Sequence, residues 1–366
     1  MNIGITFNST RNIWSSGASQ MLYFLGDLLK RNGVNCTFLI NDGMPPFLKR
    51  NFRCVHLDKV ADIKSLNLNY LIVGDLIPEL SLLSEILSSP TQKTKCIYFN
   101  LENKFFTDTE DILFSSPANN TPVSRVSNEI SFIFDEVWLL PHLSYQKSYL
   151  ESIFTNKPIK EVPYLWDSYF INNTLSKSQK EKLLYTGESP PITRACIFEP
   201  NANIIKNCII PLFICNSAYI HPKSKLKSVN IFNCKKLRTT PRFNNLINHT
   251  QIVKDKVVYF NNRWCVLDAL QRWQGAVVTH QTLNELTNLY FETLYLGLPL
   301  IHNSPMIEEY GYYYNDFDLE KGATQLVYSL LFHQENLDYY KGSAKECLHT
   351  YSSYNPQNIE KYKTLL

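Results

Sequence analysis

The sequence lacks the features that mark membrane proteins and strongly charged proteins. Its longest apolar run, near Cys208–Cys215, is short and is interrupted by Pro211, so no segment is expected to span a bilayer. The opening residues, MNIGITFNSTRN, have the pattern of a strand rather than of a signal peptide. The net charge of +3 does not favour binding of polyanions through a large field, although it is compatible with a local basic patch. We therefore expect a soluble, cytoplasmic protein.

Cysteine and glycine motifs are also missing. The nine cysteines are odd in number and scattered, and none forms a C-x-x-C pair, so neither a zinc site nor a disulfide framework is favoured. Reduced, mostly buried thiols are the simplest interpretation. The absence of G-x-G-x-x-G weakens the case for a dinucleotide. What is present, 44% apolar and 19% charged residues in a chain of 366, indicates a packed globular protein of two ordinary domains.

Short strand-like runs alternate with helical patterns along the chain. The first unit of this kind is a strand at 2–7, a loop containing Gly17, a helix at 20–32 and a strand at 36–40. Gly17 lies at the end of this unit where ligands bind, but it is equally well explained as a turn glycine. Further strands are predicted at 53–56, 70–73, 95–99, 136–139, 159–163, 194–198, 229–232 and 256–260.

This alternation predicts an α/β fold of two Rossmann-like domains. The boundaries follow from composition, because the polar residues 169–190 carry no strand signal and are interpreted as a linker. The predicted domains are 1–168 and 191–345, followed by a largely helical segment at 346–366.

The stretch from Gly275 to Pro305 gives the clearest strand–helix–strand pattern. A strand at 276–278 is followed by a polar turn at 279–282 and a helix predicted over 285–296, which Gly297 ends. Asn284 or a near neighbour is expected to cap this helix, with Glu285 in its first turn. Ligands bind at the carboxyl ends of parallel strands, so the turn is where chemistry is expected.

The run from Glu292 through Gly297 to Pro299 resembles the E-A-x-x-x-G-x-P signature of glycosyltransferases with the two-Rossmann-domain (GT-B) fold. The longer runs TLNELTNLYFETLYLGLPLIHNSP, RACIFEPN and FDEVWLLP resemble an uncharacterised bacterial and phage family of glycosyltransferase-like proteins. Many GT-B enzymes carry a second glutamate eight residues earlier, where this chain has Asn284, with Glu285 one place off.

The resemblance implies two domains that face a cleft, with the last helix crossing back to the first domain. It implies a nucleotide-sugar donor as substrate, no separate cofactor, and transfer that needs no metal. It also implies that Glu292 binds the ribose hydroxyls, and it places a phosphate-binding Arg or Lys where Arg263 ends the pattern V-x-F-x-x-R.

A donor site needs cationic or amide groups for the diphosphate and a carboxylate for the ribose diol. Lys206 is expected in the first turn of a helix from 204 to about 218, and the helix near Asn284–Thr287 is expected to supply N–H groups. Arg263 and Lys206 are also open to interpretation as solvated charges, and His280 as a core histidine. His302 and Asn303 are expected to close the pocket. The predicted donor residues are Gly17, Glu199, Asn201, Lys206, Arg263, His280, Asn284, Glu285, Thr287, Asn288 and Glu292.

The first domain is expected to supply a general base if the reaction inverts the anomeric centre. Candidates at predicted strand ends are Asp75, Glu102 and His142, together with Asp42, and His142 suits proton transfer near neutral pH best. Retaining enzymes of this fold often need no such base.

The sequence therefore predicts a glycosyltransferase that moves a hexose or related sugar to a glycan, lipid-linked or protein acceptor. One alternative is a DNA-modifying glycosyltransferase, against which the small net charge argues mildly. Another is a sugar-nucleotide or glycan-binding protein without turnover, which Asn284 at the position of a common glutamate keeps open.

Overall fold

A computed structural model describes residues 1–88, 93–114 and 128–366. The chain forms two compact units, the first made of Met1–Trp166 with Tyr351–Leu366 and the second of Asp167–Thr350. Each unit is built around one parallel sheet with helices. Within the described residues no helix is both long and apolar enough to cross a membrane.

The first unit begins with a regular alternation of strands and helices. Its strands are β1 (Asn2–Phe7), β2 (Asn35–Ile40), β3 (Arg53–His56), β4 (Tyr70–Val73), β5 (Lys95–Asn100), β6 (Glu136–Leu139) and β7 (Ile159–Glu161). Its helices up to this point are α1 (Gly17–Arg31), α2 (Pro46–Asn51), α3 (Val60–Ser65), α4 (Leu80–Leu87), α5 (Lys104–Phe114), α6 (Asn128–Ser131) and α7 (Lys147–Ile153).

The strand order of the first sheet is β3-β2-β1-β4-β5-β6-β7, and every pair is parallel. The order reverses between β1 and β4, which is the point where ligands bind in open sheets of this kind. β1 and β4 are almost fully buried, as expected for strands covered by helices on both faces. The residues that follow β1 and β4 therefore meet at one edge of the sheet.

The second unit repeats the architecture with different lengths. Its strands are β8 (Arg194–Ile197), β9 (Ser228–Ile231), β10 (Val258–Phe260), β11 (Ala276–Val278), β12 (Leu300–His302) and β13 (Tyr312–Tyr313). Its helices are α8 (Tyr169–Thr174), α9 (Lys177–Leu183), α10 (Ile209–Ile220), α11 (Pro241–Ile247), α12 (Gln251–Lys254), α13 (Val266–Arg272), α14 (Asn288–Tyr295), α15 (Leu319–Phe332) and α16 (Leu337–Thr350).

The second sheet has the order β10-β9-β8-β11-β12-β13 and is parallel throughout. β8 and β11 are neighbours, with Ala195 opposite Ala276 and Cys196 opposite Val277. The residues after these two strands are thus side by side in space although about 80 positions separate them in sequence. The segment interpreted as a linker, 169–190, contains α8 and α9 and belongs to the second unit.

The last helix, α17 (Pro356–Leu365), packs on the first unit. Its Tyr362 is fully buried, lies 5.7 Å from the ring of Trp138 and donates a hydrogen bond to the carbonyl oxygen of Pro163 at 2.7 Å. A buried tyrosine ring removes a large apolar surface from water while its hydroxyl is satisfied. This helix is therefore part of the core of the first unit.

Candidate functional site

A buried carboxylate organises the carboxyl edge of the second sheet. Glu199 follows β8 and is 1% exposed. One of its oxygens accepts hydrogen bonds from the Thr279 hydroxyl and from the His280 backbone N–H, at 3.3 Å for the latter. The other accepts from the Gln281 side-chain amide at 2.6 Å. Because these donors all follow β11, the single carboxylate holds the turn after β11 against the end of β8.

The charge state of Glu199 is finely balanced. Burial raises the pKa of this carboxyl to about 7, while the hydrogen bonds from Thr279, His280 and Gln281 and the positive charge of Lys206 oppose that rise. A carboxylate that accepts several hydrogen bonds ordinarily stays ionised well below neutral pH. The desolvation is thus the largest influence, and Glu199 titrates in the physiological range.

The turn after β11 is closed by a two-point contact with the end of β12. The Gln281 backbone N–H donates to Asn303 Oδ1 at 2.9 Å, and the Asn303 side-chain amide donates to the Gln281 carbonyl at 2.9 Å. The Asn284 amide donates to Gln281 Oε1 at 3.0 Å. These bonds satisfy buried polar groups that would otherwise be costly, and they fix the backbone around position 281.

The predicted start of the helix after this turn is wrong by three residues. α14 begins at Asn288 with Thr287 as its N-cap residue, so Asn284 and Glu285 both precede the helix. Asn284 does not cap because its side chain is used by Gln281. Thr287 makes no side-chain capping bond either.

His280 is held in one tautomer. The Tyr314 hydroxyl donates to the Thr279 carbonyl at 2.9 Å, so its oxygen accepts from His280 Nδ1–H at 3.1 Å. His280 Nε2 is then a bare acceptor, and it is buried without a hydrogen-bond partner in the described part of the chain. Burial lowers the pKa of His280 to about 4, so the ring is neutral at physiological pH. His280 thus combines a core position with one unsatisfied acceptor.

Lys206 lies in the turn before α10, because that helix begins at Ile209 rather than at 204. The turn is shaped by Asn201, which has a φ of +54° and whose Oδ1 accepts from the Cys208 N–H at 2.8 Å. Asparagine tolerates this left-handed conformation better than most residues. The half-buried Lys206 is therefore positioned by a turn, and its charge acts on Glu199.

Glu292 is the fifth residue of α14 and is 5% exposed. Burial raises the pKa of the Cys265 thiol, and the nearby charges of Asp268 and Glu292 raise it further. The Glu292 carboxylate is therefore near Cys265, in the loop between β10 and α13. Arg263 lies in the same loop and is exposed.

Two other predicted members of the site make structural contacts. His302 is fully buried, with Nε2–H donating to the Tyr310 carbonyl at 2.7 Å and Nδ1 accepting from the Ser304 N–H at 3.2 Å. Glu285 is half-buried, and its backbone carbonyl accepts a 2.5 Å hydrogen bond from the Ser304 hydroxyl. His302 thus belongs to the core, where both ring nitrogens are satisfied.

In the first unit, Asp75 forms the centre of a polar cluster at the end of β4. Its carboxylate accepts from the Ser19 hydroxyl at 2.5 Å and pairs with Arg11 at 2.8 Å. Burial raises the pKa of Asp75, while Ser19 and Arg11 act in the opposite direction and the charge of Glu102 adds to the rise. Ser19 is in the first turn of α1, which begins at Gly17. Asp75 and Gly17 thus come to the same edge, where the strand order reverses.

The other candidate bases have different surroundings. His142 is 5% exposed and packs edge-on against Tyr164 at 5.6 Å, in a short 3₁₀ helix over Pro141–Gln146. Glu102 is exposed, and its carbonyl accepts from the Gln146 amide at 3.3 Å. Asp42 is exposed. Among these residues only Asp75 combines a buried carboxylate with a charged partner, which is the setting expected of a tuned acid or base.

Metal-free transfer is expected of a chain without a D-x-D motif, but this chain contains one such triplet, Asp316-Phe317-Asp318. Asp318 caps α15 by accepting from the Lys321 N–H at 2.8 Å, and the Phe317 ring lies 4.6 Å from that of His280. Across residues 1–88, 93–114 and 128–366, no group of three or more His, Cys, Asp or Glu side chains is arranged to hold a metal ion.

The comparison with protein families covers nearly the whole chain. Residues 2–366 match the family described as "Protein of unknown function (DUF2827)". The chain belongs to the DUF2827 family. No curated protein sequence matches it.

Solved structures place this DUF2827 protein among GT-B folds. An alpha-glucosyltransferase (AGT) in complex with UDP is 12% identical with a TM-score of 0.64, over 100% of this chain and 99% of that one. Anabaena HepE in complex with UDP-glucose is 11% identical with a TM-score of 0.57, over 100% of both chains. WaaG, a glycosyltransferase involved in lipopolysaccharide biosynthesis, is 11% identical with a TM-score of 0.56, over 100% and 99%. The predicted fold class is thereby confirmed.

Sequence reasoning missed how the DUF2827 chain uses Thr279, Gln281, Asn303 and Tyr314. Each of these residues follows the end of a strand, which is a signal that can be recognised in the sequence. Their roles depend on β8 lying beside β11, and that adjacency is not visible in the local pattern.

Proposed function

We propose that this protein is a glycosyltransferase that takes a sugar from a nucleoside diphosphate sugar, with the nucleotide bound at the carboxyl edge of the second sheet. The observation that carries the proposal is the turn held by Glu199, on which the charge of Lys206 acts and which leads into α14, a helix without a side-chain cap that contains the buried Glu292. The glycosyltransferase fold of the structural neighbours supports it.

The diphosphate would lie between Lys206 and the first turn of α14. Lys206 supplies a full positive charge, and a helix N-terminus supplies oriented N–H groups that favour an anion. Charge-assisted bonds of this kind contribute about 1.5–3 kcal/mol each. Arg263, which is exposed in the loop after β10, would add a second cation.

Glu292 would accept hydrogen bonds from the two ribose hydroxyls. A carboxylate offers acceptors only, which matches a diol that donates two protons. The charge of Glu292 acts on Cys265, so the ribose would lie near the loop between β10 and α13, which also contains Arg263. His280 Nε2 is a buried acceptor, and it would accept a hydrogen bond from one hydroxyl of the transferred sugar when the ligand reaches it.

We propose a UDP-hexose as the donor, because two of the similar structures hold UDP or UDP-glucose. The donor is the substrate, and the reaction as proposed requires neither a separate cofactor nor a metal. The acceptor is a glycan, a lipid-linked glycan or a protein. Asp75 is the best candidate for a general base if the configuration is inverted, because it is the buried carboxylate of the first unit's cluster.

The proposal is tested by calorimetry with UDP and 2′-deoxy-UDP on the wild type and on Glu292→Gln. An amide accepts less well and adds a donor, so the variant should lose about 1.5–3 kcal/mol of UDP affinity. Removing the 2′-hydroxyl should weaken the wild type and have little further effect on the variant. Strict additivity of the two losses would show that Glu292 does not touch the ribose.

The matched control is Glu335→Gln, which changes an exposed acid in the same unit and should leave UDP affinity unchanged. Slow hydrolysis of UDP-glucose without an acceptor distinguishes an enzyme from a protein that only binds sugar nucleotides. Glucose transfer to double-stranded DNA, tested in parallel, would replace the glycan acceptor by the DNA-modifying alternative.

A further inference from the structure

A polar pocket lies on one face of the second sheet, between the starts of β8 and β9 and the end of β10. It has a volume of about 260 Å³ and is lined by Arg194, Ser228, Asn230, Tyr259, Asn261 and Trp273. Arg194 and Ser228 open β8 and β9, whereas Glu199 lies beyond the other end of β8. Five strand residues span about 16 Å, so Arg194 lies well away from Glu199. At its other side the pocket reaches Asn261, in the loop that also carries Arg263.

The lining residues share a face because of the strand register. Arg194 is opposite Ser228, Cys196 is opposite Asn230, and Asn230 is opposite Tyr259. Side chains two positions apart on a strand point to the same side, so these residues form one surface. The Cys196 thiol donates to the Trp273 carbonyl at 3.3 Å, which places the end of α13 on the same face.

Asn230 is the unusual residue of this surface. It is 3% exposed, in the middle of a strand between β8 and β10, yet its side-chain amide makes no hydrogen bond within the described part of the chain. Neither polar atom of its side chain is among the fully buried atoms that lack a partner, so the amide reaches solvent through the pocket. Since Asn230 lines the pocket, a ligand or water there would satisfy it.

The pocket is also lined by aromatic and charged side chains. The Trp273 ring is held by Phe232 at 5.7 Å and by Trp264 at 4.9 Å, and Tyr259 is 54% exposed. Arg194 is exposed and forms no ion pair with any described residue. An aromatic wall that is already fixed loses little entropy when a ligand binds.

We infer that this pocket binds a single sugar ring that carries a carboxylate, such as a uronic acid residue. Hydroxyl and amide groups on Ser228, Asn230 and Asn261 can donate and accept, as sugar hydroxyls do. The aromatic rings would cover the apolar C–H face of the sugar, and Arg194 would pair with its carboxylate. An inorganic anion would leave the aromatic wall and the Asn230 amide unused. The inference does not depend on the proposed transferase activity.

The test is ligand-observed NMR on the full chain with methyl β-glucuronide, using methyl β-glucoside as the neutral match. The wild type should bind the glucuronide more tightly than the glucoside. Arg194→Met and Asn230→Leu should each weaken glucuronide binding about tenfold or more. Arg242→Met, at an exposed arginine of α11 elsewhere in the unit, should leave it unchanged. Because Arg194 is exposed, its variant tests the pocket even if Asn230→Leu fails to fold.

Four results would overturn the inference. The first is no glucuronide binding to the wild type up to about 50 mM, a range in which binding free energy is already very small. The second is equal binding by the wild type and Arg194→Met. The third is displacement of the glucuronide by UDP, which would assign the signal to the strand-end site. Inorganic phosphate that binds equally well to the wild type and Asn230→Leu, and displaces the glucuronide, would reduce the pocket to a simple anion site.

Discussion

Replacing Glu199 by glutamine should change how the stability of the protein depends on pH. The folded pKa of this carboxyl is raised from 4.5 to about 7. A carboxyl with a raised folded pKa favours the folded state most when it is protonated. Its contribution is therefore complete below about pH 4.5 and is lost as the pH rises through 7. Glutamine cannot ionise and removes this dependence.

The size of the effect follows from the shift. Each pKa unit corresponds to about 1.36 kcal/mol, so ionisation of Glu199 lowers the free energy of unfolding of the wild type by about 3 kcal/mol between pH 4.5 and pH 8. The variant's free energy of unfolding is lowered by the same amount at every pH, because a glutamine amide placed against the Gln281 amide or the His280 N–H brings two donors together. An unsatisfied buried donor costs about 1–3 kcal/mol.

Urea unfolding at half-unit pH steps from 5 to 8.5 measures this directly. Other groups titrate in both proteins, so the difference between the two curves isolates Glu199. The variant should be less stable than the wild type at pH 5 and should gain on it steadily up to pH 8. Parallel curves would refute the argument, because they would mean that Glu199 keeps one charge state throughout.

Two further predictions concern the turn after β11. Asn303→Leu removes both bonds to the Gln281 backbone and should cost about 2–5 kcal/mol in urea unfolding, since it strands a buried N–H and a buried carbonyl; a loss below 1 kcal/mol would show that water replaces the asparagine. Tyr314→Phe should release the tautomer of His280, so that ¹⁵N NMR finds a mixture instead of the single Nδ1–H form; an unchanged spectrum would contradict the hydrogen-bond assignment.

The sequence was sufficient to place the strands, and the reason is physical. β1, β3, β4, β6 and β11 have the predicted bounds. For β1, β4 and β11 the reason is that a helix-covered strand is apolar on both sides, and such runs are easy to recognise. The second sheet was also predicted as a separate Rossmann-like unit. β13 was missed, since Tyr312–Tyr313 is too short to carry a pattern.

Helix starts and the polar network were harder to predict. Asn284 is a good N-cap by residue type, but its amide is committed to Gln281, and the turn continues to Thr287. Capping preferences are worth about 1 kcal/mol, which a buried tertiary hydrogen bond easily outweighs. Glu199 was predicted as a ligand contact, but its hydrogen bonds from Thr279, His280 and Gln281 were not, because these residues follow a strand some 80 positions later in the chain.

The place of α17 has a consequence for how the chain is made. The core of the first unit includes Tyr362, which is packed near Trp138, yet the whole second unit, Asp167–Thr350, is synthesised between them. At 5–20 residues per second this interval lasts roughly ten to forty seconds. During this interval the first sheet keeps one apolar surface exposed, and the second unit has time to fold before α17 is synthesised. Nascent chains should bind chaperones and be cleaved by proteases most readily at the surface around Trp138, although Trp138 itself is synthesised early.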